Sequence, residues 1–208
     1  MAYNFEEQEQ LDDLKAWWNK YGTFLMTVVT IVAVAVAGWR VWQWYESKQA
    51  VAAATAYEVV REAAAKGDVS RIKLASESLL NDYGSTVFAP MAALTAARAY
   101  FEKKDLDAAA GALRWIIDNA KDSEFYDVAR LRLSAVLLDQ EKPDDGLALL
   151  QDNVPDAFAG AFSDRRGDLL TAAGKKDEAK EAYKKALELL PPGSPQRRQI
   201  DLKLLSLN

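Results

Sequence analysis

GAFSDRRGDLLTAAGKKDEAKEAYKKALELLPPG, residues 160–193, holds the pattern that decides the architecture of this chain. Apolar and small residues recur at spacings of three and four, the period of a helix with one buried stripe. The stripe is interrupted around Lys175-Lys176-Asp177 and stopped at Pro191, so the segment reads as two helices joined by a short turn. Counted from Gly160 in a 34-residue frame, Gly167, Ala179, Tyr183, Ala186 and Pro191 occupy positions 8, 20, 24, 27 and 32. Small residues at positions 8 and 20 allow the two antiparallel helices to approach closely, Tyr183 fills the space beside them, and the proline ends the second helix.

Those five positions are the signature of the tetratricopeptide repeat, and three weaker copies lie upstream. Position 8 falls at Ala63, Ala97 and Ser134, and position 20 at Ala75, Ala109 and Gly146. The turns repeat as Lys66-Gly67-Asp68, Lys103-Lys104-Asp105, Lys142-Pro143-Asp144 and Lys175-Lys176-Asp177. In each, lysine can meet the last carbonyls of one helix and aspartate can cap the next. Four units and a final helix around Gln196 to Leu205 predict a short right-handed solenoid whose last helix covers the apolar end. A helical bundle of other topology is the competing architecture. The groove positions 2, 5, 9 and 12 map to Met91, Leu94, Arg98 and Phe101 in one unit and to Val128, Leu131, Ala135 and Leu138 in the next. In the last unit they map to Ala161, Asp164, Asp168 and Thr171, which makes that end acidic. An apolar groove with a polar end suits an extended peptide or a partner's amphipathic helix. Leu94, Arg98, Phe101, Leu131, Leu138 and Asp168 are therefore the candidate partner-binding residues. The competing reading of any one of them is packing against the neighbouring repeat.

Working outward to the N-terminal side, Tyr21 to Trp39 are nineteen residues without a charge, bounded by Lys20 and Arg40. As a helix they cover roughly 29 Å, the thickness of a bilayer's hydrocarbon. Trp17, Trp18 and Tyr21 mark one rim, and Trp39, Trp42, Trp44 and Tyr45 the other, as aromatic belts do. Alternating Ala33, Ala35 and Ala37 would suit a signal peptidase, but residues 1–20 set two lysines against five carboxylates, net −3, where a signal peptide is basic. A buried core helix would not confine its tryptophans to the two rims. Leu11, Leu14, Trp18 and Tyr21 share a helical face suited to the headgroups. Ala33 and Ala37 form a small-xxx-small pair, a frequent and weak helix-packing signal. The reading is an all-α protein with an acidic cytoplasmic tail over 1–20, a transmembrane helix with aromatic flanks over 21–45, and a tetratricopeptide-like domain over 46–208. Lys15 and Lys20 against Arg40 and Lys48 leave the charge bias nearly silent. A short tail ahead of an uncleaved anchor sets the expected orientation, N-terminus inside and repeats translocated.

Composition removes several classes of function. The 208 residues hold no cysteine and no histidine, which removes thiolate sites, disulfides, the commonest zinc ligand and the usual general base. A net charge of −5, with no Lys/Arg run longer than two, leaves no footprint for nucleic acid. Carboxylate pairs such as Asp12-Asp13 and Asp144-Asp145 are expected from composition alone, and Arg165 and Arg166 beside Asp164 and Asp168 read as surface ion pairs. No phosphate loop, metal cluster or activated serine can be assembled, so no catalytic, metal or cofactor residue is expected.

The whole resembles the YfgM-like proteins, single-pass membrane proteins with a periplasmic tetratricopeptide-like domain that serve as ancillary subunits of the bacterial Sec translocon. The resemblance is carried by the Glu-rich tail with Leu14-Lys15 and Trp17-Trp18, by Gly38-Trp39-Arg40 followed by Trp42, by Asp164 to Lys175 with Arg166-Gly167-Asp168, and by Leu202-Lys203-Leu204-Leu205-Ser206-Leu207. It implies a non-catalytic accessory in the inner membrane, beside SecYEG and associated with a PpiD-like membrane-anchored periplasmic chaperone, receiving translocating polypeptides. Two competing classes are a scaffold for another envelope machine, such as division or outer-membrane assembly, and an adaptor with its repeats in the cytoplasm.

Overall fold

The computed structural model describes residues 3–151 and 154–207, the side chains of residues 3–9 excepted. Glu6, Glu7 and Glu9 of the expected acidic tail, and Asn208, thus lie outside the described side chains and residues. The described residues form helices and no strand: α1 (Tyr3–Ala65), α2 (Val69–Tyr83), α3 (Phe88–Glu102), α4 (Leu106–Asn119), α5 (Tyr126–Asp139), α6 (Pro143–Ala148), α7 (Asp156–Ala172), α8 (Lys176–Leu189) and α9 (Pro195–Ser206). Their contacts divide the chain into two units, Met1–Gln49 and Ala50–Asn208.

In the first unit no residue of the most apolar window of α1 is buried. This removes the core-helix reading, because an apolar face of that length needs lipid. Its hydroxyls are accommodated within the helix: Thr27 and Thr30 donate to the carbonyls of Thr23 and Met26, each at 2.8 Å. The Trp39 and Trp42 rings meet edge to face with centroids 5.5 Å apart, and the Trp17 and Tyr21 rings are 5.8 Å apart. Lys20 and Lys48 lie over the rings of Tyr21 and Trp44, at 5.3 and 4.9 Å. Amphipathic rings and snorkelling cations thus share the two rims.

The second unit is built on one turn used four times. Gly67, Lys104, Glu141 and Gly174 adopt positive φ, between 60° and 76°. In every case the next residue's amide reaches back five positions: Asp68 to Ala63 (3.0 Å), and Asp105 to Tyr100, Lys142 to Leu137 and Lys175 to Leu170 (2.9 Å each). This is a Schellman closure, in which a left-handed residue ends one helix and its successor begins the next. The successors are the N-caps of α2, α4, α6 and α8.

Aligning the four turns corrects the expected register. Asp68 and Asp105 do cap, accepting from the amides of Arg71 (3.0 Å) and Ala108 (3.1 Å). Asp144 and Asp177 do not: they sit inside the first turns of α6 and α8, where they face the positive end of the helix dipole, and Lys142 and Lys175 hold the cap positions. The third and fourth turns are therefore centred on Glu141 and Gly174, two residues earlier than the lysine-aspartate motif suggests. In the first repeat, positions 8 and 20 move from Ala63 and Ala75 to Val60 and Ile72, both fully buried, while Ala75 is half-buried. The first two repeats are thus 37 residues long, Val60 to Ala97 to Ser134, and the third is 33, Ser134 to Gly167. The third is short because α6 has six residues where α2, α4 and α8 have 14 or 15.

The core follows these pairs. Ala63, Ile72, Ala97, Ala109, Leu113 and Leu133 belong to one buried cluster running from the end of α1 to α5. Leu170, Tyr183, Ala186, Ile200 and Leu207 form another, in which α9 covers α8. Leu150, Phe162 and Leu169 lie between them. Buried Arg130 ties off the short α6: it donates to the Leu149 carbonyl at 2.8 Å and pairs with Asp127 at 2.9 Å. Arg197 of α9 donates to the Leu187 and Leu190 carbonyls, satisfying the last turn of α8 before Pro191.

Candidate partner-binding groove

Two adjacent clefts open on the first three repeats. The larger, about 520 Å³, is walled by Tyr57, Met91, Leu94, Thr95 and Phe125, with Arg98, Glu102 and Arg132 at its edges. The smaller, about 350 Å³, is walled by Phe101, Leu113, Ala135 and Val136 and again by Arg98 and Arg132. Leu94 and Phe101 are half-buried against the α1–α5 cluster, so each offers one face to the core and one to a cleft. Arg98 is exposed and pairs along its own helix with Glu102 at 2.9 Å. Thr95 is turned inward, donating to the Met91 carbonyl at 2.8 Å, with the Tyr57 hydroxyl 3.4 Å away.

The structure brings Leu94, Arg98 and Phe101 together and places the other candidates elsewhere. Leu131 and Leu138 are half-buried against Leu150, Phe162 and Leu169, on the side of α5 that meets α7. Asp168 is engaged within the last repeat: its carboxylate accepts from the Tyr183 hydroxyl at 2.8 Å and lies 2.7 Å from Lys203 and 3.3 Å from Arg165. Lys203 also holds Asp164 at 2.7 Å, so α9 neutralises the acidic groove positions of α7. Burial, with an acceptor in Asp168, pushes the Tyr183 phenol well above its ordinary range, although Thr171 works against the shift. The rim residues Trp17, Trp18, Trp39, Arg40 and Trp42 are all exposed.

Tyr57, Phe125 and Arg132 were not among the sequence candidates. Tyr57 lies in the first repeat, whose groove positions the sequence reading left unmapped: counted from Ala63 it is position 2, and with position 8 at Val60 it becomes position 5, the equivalent of Leu94. Arg132, one residue from Leu131, takes part because α5 turns that side of its helix toward α3. Phe125, the N-cap of α5, had no pattern to single it out. Among the described residues no group of histidine, cysteine, aspartate or glutamate could hold a metal.

The match of a tetratricopeptide repeat-like domain family extends over residues 15–208. An ancillary SecYEG translocon subunit of Neisseria gonorrhoeae is 35% identical over 208 residues, covering 100% of both chains. The chain belongs to the ancillary SecYEG translocon subunit family. Further family members with the same description are those of Haemophilus influenzae, 27% identical over 89% of this chain and 91% of the relative, and of Escherichia coli K12, 26% identical over 97% of each. As a member of this family the chain is a non-catalytic, single-pass inner-membrane protein, in which one N-terminal apolar helix anchors a tetratricopeptide-like interaction domain.

Proposed function

We propose that this protein sits beside the SecYEG channel as an ancillary subunit, receives polypeptides as they emerge, and passes them to a PpiD-like membrane-anchored chaperone. The full-length relation to an ancillary SecYEG translocon subunit carries the reading. In it residues 1–20 are cytoplasmic, 21–45 cross the bilayer between the Trp17-Trp18 and Trp39-Arg40-Trp42 rims, and 46–208 face the periplasm. The apolar clefts at Leu94, Arg98 and Phe101 support a role in peptide capture. Tethering compensates for weak binding, because it holds the groove at an effective concentration on the order of millimolar near the channel exit.

Photo-crosslinking in intact membranes tests this, with probes at Ala33 in the span and Phe101 in the groove. Recovery of channel subunits from Ala33, and of nascent chains or a membrane-anchored chaperone from Phe101, is the expected result. Recovery of division or outer-membrane assembly proteins alone would overturn it. A reporter active only in the periplasm, fused after Asn208, checks the orientation: silence there would place the repeats in the cytoplasm.

A further inference from the structure

The wall shared by the two clefts has a charge opposite to that of the molecule. The chain carries a net −5, yet the charged residues lining the clefts are Arg98, Arg132 and the single acid Glu102. Arg98 and Arg132 line both clefts, with apolar pockets on either side: Met91, Leu94 and Phe125 in one, Phe101, Leu113 and Val136 in the other. Lys104 adds a third cation at the rim, 5.5 Å from the centre of the Phe101 ring. Arg132 makes no ion pair among the described residues. The one pair at the site, Arg98 with Glu102, joins side chains that are 78% and 61% exposed, a weak constraint that an incoming anion can replace.

We propose that these clefts read a carboxylate in an extended polypeptide: an internal Asp or Glu docks between Arg98 and Arg132 while apolar side chains on both sides of it enter the two pockets. The inference rests on the groove reading above and names the chemistry of its ligand. Planar guanidinium forks suit a carboxylate, and two of them between apolar walls can each offer it charge-assisted hydrogen bonds. The internal position follows from the layout. With apolar pockets on both sides of the arginines, the bound chain must continue past the carboxylate in both directions, which a chain terminus cannot do.

Fluorescence anisotropy of peptides binding to the full chain in lipid nanodiscs tests this. The probe is a short peptide blocked at both ends, with the central order leucine, serine, glutamate, serine, leucine. Its analogues carry glutamine or lysine at the centre, and a third peptide carries only a free C-terminal carboxylate. The glutamate peptide is expected to bind on the order of tenfold more tightly than the glutamine analogue. That preference is expected to shrink with added salt. Arg132→Gln should erase the preference for the glutamate peptide over the glutamine peptide with the melting temperature unchanged, and Arg132→Glu should favour the lysine peptide. Equal binding of the glutamate and glutamine peptides would overturn the carboxylate site and leave the apolar groove standing. Tighter binding of the free C-terminal carboxylate would overturn the internal position. If none of the peptides bound, the groove reading would fall with it.

Discussion

At Gly167 an added Cβ would lie 2.4 Å from Cε1 and 2.5 Å from Cδ1 of the Tyr183 ring, so the close approach of α7 and α8 leaves no room for a methyl group. Gly167→Ala should therefore destabilise the protein by about 1–3 kcal/mol through overpacking. The control is Gly111→Ala, at a site on α4 with nothing within 4 Å of the new carbon, which should gain about 0.5–1 kcal/mol. Thermal unfolding followed by circular dichroism should separate the two in sign, and equal effects would contradict the contact. Tyr183 carries a second prediction. Burial raises its phenol, so the folded state holds the proton after the unfolded chain has released it. Stability from this group is fully present below the ordinary phenol value of about 10 and is lost as pH rises beyond it. The melting temperature should fall less steeply above that pH in Tyr183→Phe than in the wild type; unchanged steepness would remove Tyr183 from the account. This pair was legible in the sequence because it is a contact within one hairpin, at fixed separation. Val60 and Ile72 were not, since Ala63 and Ala75 lie three residues further on and imitate the small positions. In an alanine-rich helix, small residues alone do not fix the register.

Among the elements, α6 departs most from its equivalents, and the sequence gives little warning. Gly146-Leu147-Ala148-Leu149-Leu150 continues the apolar pattern of a longer helix, and Pro143 at its start marks where it begins, not where it stops. The ending is a tertiary effect: buried Arg130 takes the Leu149 carbonyl, stays paired with Asp127, and lies against the rings of Tyr126 and Phe162, at 5.4 and 5.2 Å. Replacing Arg130 by Met keeps the volume but strands the carbonyl and the carboxylate, and should cost about 2–4 kcal/mol in chemical denaturation. Arg130→Lys should recover little of this, because one ammonium cannot reproduce the guanidinium's separate bonds to Leu149 and Asp127. Full recovery by lysine would mean that charge alone holds the element. The four turns make the opposite case. Gly67 and Lys104 centre the turns that the lysine-aspartate motif marks, whereas Glu141 and Gly174 lie two residues before the motif's centre, so half of the repeat's most regular feature was placed only by the backbone.

Over the whole second unit, buried side chains fall into clusters that each join neighbouring pairs, with Leu150, Phe162 and Leu169 as the link between the α1–α5 core and the α7–α9 core. The unit is therefore expected to respond to damage as a linear array, in which stability is a sum of repeats and their interfaces. Ile200 is the most informative place to test this: it is fully buried, lies on the terminal α9, and belongs to the last cluster. Ile200→Ala should remove about 2–4 kcal/mol of local packing. α9 also brings Lys203 to Asp164 and Asp168, so loosening it should release the electrostatic hold on α7 as well. Hydrogen exchange of the full chain in nanodiscs should then show faster exchange across α7 to α9 and unchanged protection in α3 and α4, where the proposed peptide clefts lie. The clefts should keep their peptide affinity in the same variant, since their walls belong to the other cluster. Uniform loss of protection from α2 to α9 would instead show a single cooperative unit. The terminal helix would then be essential to the groove rather than a cover for its far end.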